Sequence, residues 1–262
     1  MDTSEECFVA FMDIMGFADF VERETSESVH SYLSSLVNAS SVFNINMLDY
    51  DIKVFSDTVV VSTVLNNRFE QFRLFLLYIN TLQLASITEQ SLGILPLRGA
   101  ITKGDFFTDN KDLTFGKALI KAHDIEKKLA NYPRIIVDPD ELQPEKSRKS
   151  TEVVNSLLSK TGFDKKIKGG LKPFDEYSEP VRRDFDGLLH CNYLSALRMI
   201  DGGWAGNAEA GIVKHKQYIE DNLKRAPSNR VTVKYNWMKT YHNWFCGGYD
   251  ELNTHQIVDT FK

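Results

Sequence analysis

Hydrophobic and polar positions follow two different periods along the first half of the chain. Apolar residues run almost unbroken over 8–15 and predict a buried strand, which ends at Gly16. Apolar side chains then recur at helical spacing from Phe17 to Val37, which predicts a single helix. The β-branched stretch 50–65 predicts two strands joined by a tight turn at Ser56-Asp57.

Four further segments extend this pattern as far as residue 139. Amphipathic helices are predicted at 68–90 and 115–130, and strands at 95–107 and 134–139. The residues expected on the buried face of the later helix are Ala118, Ala122, Ile125 and Leu129. The resulting order β-α-β-β-α-β-α-β predicts an α+β fold, with a mixed sheet flanked by helices.

The composition of the chain changes after this part. We expect a first domain at 1–140, a polar linker rich in Gly and Pro at 141–180, and an extension at 181–262. The extension is rich in aromatic residues, and its segments 183–200, 210–226 and 229–246 predict mostly helical structure.

Bulk properties narrow the choice of partners. The 262 residues are 42% hydrophobic and 26% charged, and the net charge of −5 provides no global field to attract nucleic acid or an anionic membrane. A local anion site is still compatible with this charge.

The cysteines and the apolar runs indicate the compartment. Cys7, Cys191 and Cys246 are far apart and show no CxxC spacing, which is typical of reduced thiols. No apolar run reaches the roughly 18 residues that span a bilayer. The first residues are acidic where a signal peptide is basic, so we expect a cytoplasmic protein.

Two aspartates stand at the ends of hydrophobic strands. A carboxylate among apolar residues is costly unless it is paired or binds a metal, and the predicted topology places Asp13 beside Asp57. The pair can bridge two Mg²⁺ or Mn²⁺ ions, with the carbonyl oxygen of Ile14 as a further ligand. The turn at Gly16 and Phe17 opens a helix, whose free N–H groups suit a phosphate. This combination predicts a nucleoside triphosphate site; the alternative is that the two acids are only a helix cap and a turn residue.

Several of these segments resemble a known family. FVAFMDIMGF, KVFSD, LRGAITKGDFF and FGKALIKAHDIEKKL are similar to the catalytic domain of class III nucleotidyl cyclases, over roughly residues 7–140. RDFDGLLHCNYL, VKHKQYI and VKYNWMKTYHNW resemble the pyrimidine cyclases of the Pycsar antiphage system. Those proteins make cyclic UMP or cyclic CMP on infection, and the messenger activates a separate effector.

The resemblance implies roles for individual residues. Asp13 and Asp57 match the family's metal-binding aspartates, and Ile14 matches its carbonyl ligand. Lys53 matches the strand lysine that reads the base in adenylyl cyclases. The family's ferredoxin-like palm fold and a homodimer with sites at the interface are also implied.

At other positions, this chain lacks the residues that are typical of the purine cyclases in the family. The acid that reads a purine base is replaced by Leu113, with Asp112 next to it. Ile120 and Asp124 stand where purine cyclases carry the ribose-positioning asparagine and the arginine that stabilises the transition state. These departures are consistent with pyrimidine selectivity, although they do not by themselves require it.

Other residues of the chain are candidates for the contacts to the base and the phosphates that those family residues would make. Arg98 can reach the triphosphate or the base across a subunit interface, and Lys117 and Lys121 lie one turn apart on a helix that can face the phosphates. Tyr50 and Asp51 can contact the base. For each cation, the alternative is an ordinary solvated surface charge.

The resemblance implies two-metal conversion of UTP to 3′,5′-cyclic UMP and pyrophosphate. Within the resembling group, producers of cyclic UMP are the commoner kind, and CTP is the alternative substrate. Rival hypotheses are a purine cyclase, a diguanylate-type synthase and an inactive nucleotide-binding module. The turn FSDT, where a GGDEF-like turn would stand, argues against the diguanylate type, and the presence of both acids argues against an inactive module. His242 lies in the aromatic segment YHNW, which favours core packing over metal binding.

Overall fold

The computed structural model describes residues 5–39, 50–65, 68–88, 95–108, 113–138, 177, 179–197 and 207–258. The strands are β1 Glu5–Ile14, β2 Tyr50–Phe55, β3 Thr58–Val64, β4 Leu97–Thr108, β5 Thr114–Phe115, β6 Ile135–Val137, β7 Val181–Arg183 and β8 Leu189–Cys191. The helices are α1 Phe17–Arg23, α2 Ser26–Ala39, α3 Arg68–Thr88, α4 Lys117–Leu129, α5 Asn207–Arg225 and α6 Asn229–Gly247. A 3₁₀-helix at Asp250–His255 follows α6.

One mixed sheet organises these elements. Its strand order is β2-β3-β1-β4-β6-β8-β7, with β5 paired to the end of β4. The β4–β6 pair is parallel and the other pairs are antiparallel. Helix α3 packs on one face of β1, against Phe8 and Met12, and α4 covers the other face, near Val9. The predicted α+β fold with a mixed sheet flanked by helices is confirmed.

The prediction of a single helix from Phe17 to Val37 is wrong, because the structure has two helices here, α1 and α2. The break lies at Glu24, whose backbone is extended (φ −101°, ψ 160°). Thr25 then begins the new helix, and its hydroxyl accepts the backbone N–H of Ser28 at 3.2 Å. A threonine at this position is a strong start signal, so capping overrides the continuous apolar period.

Helix α4 presents a different face from the one predicted. Ala118 and Ala122 are buried as expected, but the third buried residue of this row is Glu126. Ile125 is half-buried, and Leu129 is 39% exposed. The two alanines let α4 lie close to the sheet, and the i, i+4 row that contains them reaches Glu126 rather than Leu129.

The helix predicted over 183–200 is wrong in its first half. Strands β7 and β8 form a hairpin there, and it joins the sheet through Ile136 opposite His190. Most of the expected linker lies outside the described residues. At its end, the side-chain amide of Asn80 donates to the carbonyl of Pro180 at 2.8 Å.

Helices α5 and α6 complete the extension, which is mostly helical as predicted. They form a second apolar cluster with the end of α3, where Leu84 and Ile87 contribute. The three cysteines are free and buried, as expected. Within the described ranges, none of the helices has the length and apolar character needed to cross a bilayer.

A chain of hydrogen bonds between neutral groups crosses this second cluster. The Tyr193 hydroxyl lies 2.9 Å from His215 Nε2, and His215 Nδ1 lies 2.9 Å from His242 Nδ1. Because His242 Nε2 faces the carbonyl of His255 at 3.0 Å, this nitrogen carries a proton. Burial lowers the pKa of both imidazoles and so favours their neutral forms, in which His215 Nδ1 donates to His242 Nδ1. His242 packs in the core as predicted.

This arrangement predicts that acid destabilises the fold. Burial lowers the pKa of His242 to about 4, and burial with the neighbouring His242 lowers the pKa of His215 well below 6.5. Burial also lowers the pKa of His190. Between pH 6.5 and 5 the unfolded chain binds more protons, so the free energy of unfolding should fall by up to about 1.4 kcal/mol per pH unit for each such histidine.

Burial raises the pKa of Glu126, so the folded protein binds a proton there more readily than the unfolded chain. This single group therefore offsets only part of the stability that the three histidines lose as the pH falls. Urea titrations at pH 7.5, 6.5, 5.5 and 5 measure the free energy of unfolding at each pH. A value that stays constant from pH 6.5 to 5 would contradict the neutral histidine network.

Candidate active site

Asp13 and Asp57 lie at the same end of the sheet. Asp13 stands opposite Thr58 of β3 on one side and opposite Arg98 of β4 on the other. Asp57 lies in the two-residue turn between β2 and β3, and its carbonyl accepts the N–H of Ile14 at 2.7 Å. Both acids and the Ile14 main chain are thus brought together, with Asp57 in the turn where the sequence placed it.

The chain leaves β1 through a turn that requires glycine. Gly16 has φ 80°, a left-handed conformation that residues with a Cβ rarely adopt. The N–H of Met15 donates to Pro96 at 2.9 Å and fixes the entry to the turn. Helix α1, which begins at Phe17, has only seven residues, so any phosphate contact here relies on its first free N–H groups more than on a large dipole.

Arg98 is shared between two carboxylates. Its Nε lies 2.7 Å from Asp13 Oδ2 and 3.1 Å from Glu126 Oε1. Glu126 is buried; burial raises its pKa, as Asp13 also does, while Arg98 opposes the rise. Glu126 therefore holds the guanidinium beside Asp13, a role that the sequence reasoning missed. The sequence feature that could have indicated this role is the position of Glu126, four residues after Ala122 on the buried face of the helix.

A cleft of about 1230 Å³ opens beside these residues. Of the predicted site residues, those that line it are Asp13, Ile14, Gly16, Phe17, Asp57 and Arg98. The opposite wall comes from α5 and α6, which the sequence reasoning had not connected with the site. The described basic side chains in its lining are Arg23, Arg98, Lys214, Arg225, Arg230 and Lys234. Five described acidic side chains accompany these six, so the cleft is richer in cations than the chain as a whole, which has a net charge of −5.

Tyr50 and Lys53 lie on opposite faces of β2. The Tyr50 ring packs in the core, stacked on Tyr78 with centroids 4.3 Å apart, and its buried hydroxyl has no hydrogen-bond partner in the described part of the chain. Lys53 pairs with Val60, so it shares a face with Asp13 but stands two strands away, roughly 10 Å from β1. Neither residue is among those that line the cleft.

Asp51 also lies outside the lining of the cleft. Its carboxylate accepts the hydroxyl of Thr108 at 2.8 Å, which ties β2 to the end of β4.

The outer face of α4 forms a separate groove of about 410 Å³. Lys117, Ile120, Lys121 and Asp124 lie there, away from the Asp13 cleft. Lys121 forms an ion pair with the buried carboxylate of Asp138, and Lys117 lies 3.2 Å from Asp105. Within one chain, Lys121 is therefore not placed beside the two acids.

The donor set at the strand ends suits a hard divalent cation. Asp13 and Asp57 offer carboxylate oxygens, and Ile14 adds a main-chain carbonyl. No cluster of three or more His, Cys, Asp or Glu side chains among the described residues is arranged as a metal site. The two carboxylates match the usual coordination of Mg²⁺, which binds through one or two carboxylates together with substrate phosphates and water.

Comparisons with known proteins give structural likenesses only. No protein-family model matches the chain, and no curated protein matches it. The adenylyl cyclase CyaB from P. aeruginosa is similar at 16% identity and a TM-score of 0.40, covering 61% of this chain and 84% of its own.

Two guanylyl cyclase domains are also similar. The domain from Catenaria anguillulae, in complex with GTP, has 12% identity and a TM-score of 0.41, and covers 72% of this chain and 96% of its own. The dimeric domain from Blastocladiella emersonii has 13% identity and a TM-score of 0.42, with 54% and 83% covered.

Proposed function

We propose that the chain is a pyrimidine nucleotide cyclase that converts UTP to 3′,5′-cyclic UMP and pyrophosphate, with CTP as the alternative substrate. The proposal includes a second-messenger role in antiphage defence, with the product acting on a separate effector. The observation that carries it is the convergence of Asp13 and Asp57 in a cleft whose described lining includes six basic side chains.

The proposed reaction is a displacement within one nucleotide. The ribose 3′-oxygen loses its proton and attacks the α-phosphorus, and the bond to the bridging oxygen breaks to release pyrophosphate. Divalent cations held by Asp13, Asp57 and the Ile14 carbonyl, either Mg²⁺ or Mn²⁺, would acidify the 3′-hydroxyl and neutralise charge on the phosphates. Free N–H groups at Gly16 and Phe17 orient the phosphate chain, and Arg98 stabilises the developing negative charge beside Asp13.

The preference for a pyrimidine rests on two sequence features. The extension resembles pyrimidine cyclases, and Ile120 and Asp124 replace the asparagine and arginine of purine cyclases. The proposed base contact of Lys53 lies beyond the described lining of the cleft, on the strand face that Lys53 shares with Asp13. The core position of Tyr50 leaves that residue a packing role.

A homodimer is part of the proposal. The outer face of α4 lies outside the Asp13 cleft of its own chain, so Lys121 can act at that site only from a second copy. Exposed apolar side chains flank this face, among them Leu113 at 60%, Phe115 at 58% and Ile120 at 65% exposure. Side chains of this kind are typical of a surface that another molecule covers.

The test of base selectivity uses the four ribonucleoside triphosphates separately, each with Mn²⁺. We expect a cyclic monophosphate from UTP in largest amount, identified by mass, with CTP second. The Asp57→Asn protein, purified in the same way, controls for contaminating cyclases. Cyclic product from ATP or GTP alone would contradict pyrimidine selectivity, and transfer of the α-phosphate to a second nucleotide would favour a synthase instead.

A further inference from the structure

Helices α5 and α6 place basic side chains in the same cleft as the two strand-end aspartates. Arg225 is the last residue of α5, and Arg230 and Lys234 lie in the first two turns of α6. The short connection between the helices also lines the cleft, through Ala226 and Pro227. Ser228 fixes the start of α6, because its side chain accepts the N–H of Val231.

Arg230 and Lys234 point from one face of α6. They are four residues apart and therefore neighbours on the helix surface. The next turns of α6 anchor the helix in the second apolar cluster through buried Trp237, Met238 and Tyr241. The two cations are thus carried by a helix that packing holds in place.

These two cations, Arg230 and Lys234, have no ion-pair partner in the part of the chain that the structure describes. Neighbouring cations do have partners: Lys224 lies 3.6 Å from Asp221, and Lys216 donates to the carbonyl of Gln256 at 3.0 Å. Two cations that line a cleft and form no ion pair with the described residues are available to an anion.

The electrostatics connect these cations with the strand ends. Partial burial lowers the pKa of Lys234, the charges of Arg98 and Arg230 lower it further, and Asp13 opposes them. Lys234 therefore lies within the fields of both Arg98 and Asp13. Three mutually repelling cations in a partly enclosed space favour a polyanion over a neutral ligand.

We propose that Arg230 and Lys234 of α6 bind the triphosphate chain of the substrate, so that the C-terminal extension completes the site of its own chain opposite Asp13 and Asp57. This inference rests on the proposed cyclase function and gives the extension a role in it. Arg230 suits bidentate contact with phosphate oxygens, and Lys234 supplies a point charge.

The test measures binding of the phosphate chain separately from turnover. Inorganic tripolyphosphate with Mg²⁺ is titrated by calorimetry into the full-length wild-type protein and into Lys234→Gln and Arg230→Gln. We expect each variant to bind about tenfold more weakly or worse, because each loses a charged hydrogen-bond donor. Lys234→Arg keeps the charge and should recover most of the affinity.

The matched control is Lys224→Gln, near the end of α5, which removes an exposed charge that pairs with Asp221 and does not line the cleft. It should bind tripolyphosphate like the wild type. With UTP, the Lys234 and Arg230 variants should raise KM more than they lower kcat, and their unfolding midpoints should stay unchanged.

The two proposals fail in different ways. If Lys234→Gln and Arg230→Gln bind tripolyphosphate as tightly as the wild type while UTP is still cyclised, the inference is overturned and the cyclase function stands. If the wild type binds tripolyphosphate through these residues but no nucleotide is cyclised, the anion site stands and the cyclase function is overturned. Equal weakening by Lys224→Gln would also overturn the inference, since it would reduce the effect to general charge.

Discussion

Asp57→Asn should reduce cyclic nucleotide formation by at least about a thousandfold. Metal-ion stabilisation of the reacting phosphates is worth several kcal/mol, and each 1.4 kcal/mol is a factor of about ten in rate. An amide keeps the size of the side chain but removes the charge that would hold the cation. Because Asp57 is exposed in a turn, the free energy of unfolding should hardly change. Initial rates with UTP and Mn²⁺, and a urea titration, measure the two quantities.

Asp13→Asn should lose activity to a similar extent, but with a structural cost. It weakens the ion pair with Arg98, which stays beside the buried Glu126. Glu209→Gln is the control, since this exposed carboxylate pairs with His255 and does not line the cleft, and it should keep wild-type activity. Full turnover by Asp57→Asn in the presence of Mn²⁺ would contradict the assignment of the metal site.

Arg134→Met should destabilise the fold by about 3–5 kcal/mol. The Arg134 side chain is fully buried, and it forms ion pairs with Asp184 and Asp186 in the turn between β7 and β8. Asp184 also accepts the indole N–H of Trp237 at 2.7 Å, so the network ties the hairpin to α6. Removing the arginine leaves a buried carboxylate without its cation, which is far more costly than losing a surface pair.

Urea unfolding measures this loss, with Lys128→Met as the control. Lys128 forms an exposed pair with Asp124 on α4 at 3.2 Å, which should contribute no more than about 1 kcal/mol. The double variant Arg134→Met/Asp184→Asn should be less unstable than Arg134→Met alone, because the uncompensated charge is gone. A loss below about 1 kcal/mol for Arg134→Met would contradict the role of this network.

The part of the site that the sequence predicted depends on local pattern. Asp13 and Asp57 interrupt long apolar runs, and the hairpin at Ser56-Asp57 follows from a polar pair between β-branched segments. Strand pairing then brings the two ends together without further information, because β3 and β4 flank β1. The sequence singled out Arg98 as a cation that reaches the nucleotide across a subunit interface. The register instead places it opposite Asp13 of the same chain.

The parts that the sequence did not predict depend on tertiary packing. Arg230 and Lys234 reach the cleft only because α6 packs against α5 and the end of α3, and nothing in their local pattern distinguishes them from solvated charges. Strands β7 and β8 have three residues each, too short for a period to be recognised, and buried ion pairs to Arg134 hold their turn. Glu126 is buried because it lies on the face of α4 that packs on the sheet, and the nearby Arg98 offsets the cost of burying its charge.

Product identity and stoichiometry decide whether this site catalyses cyclisation. Purified protein is incubated with UTP and Mn²⁺, and nucleotide products are identified by mass while pyrophosphate is measured in the same sample. We expect 3′,5′-cyclic UMP and pyrophosphate in equal amounts, with neither formed by Asp57→Asn. Release of orthophosphate with UDP, or pyrophosphate with linear UMP, would contradict a cyclase and indicate a hydrolase at the same two aspartates.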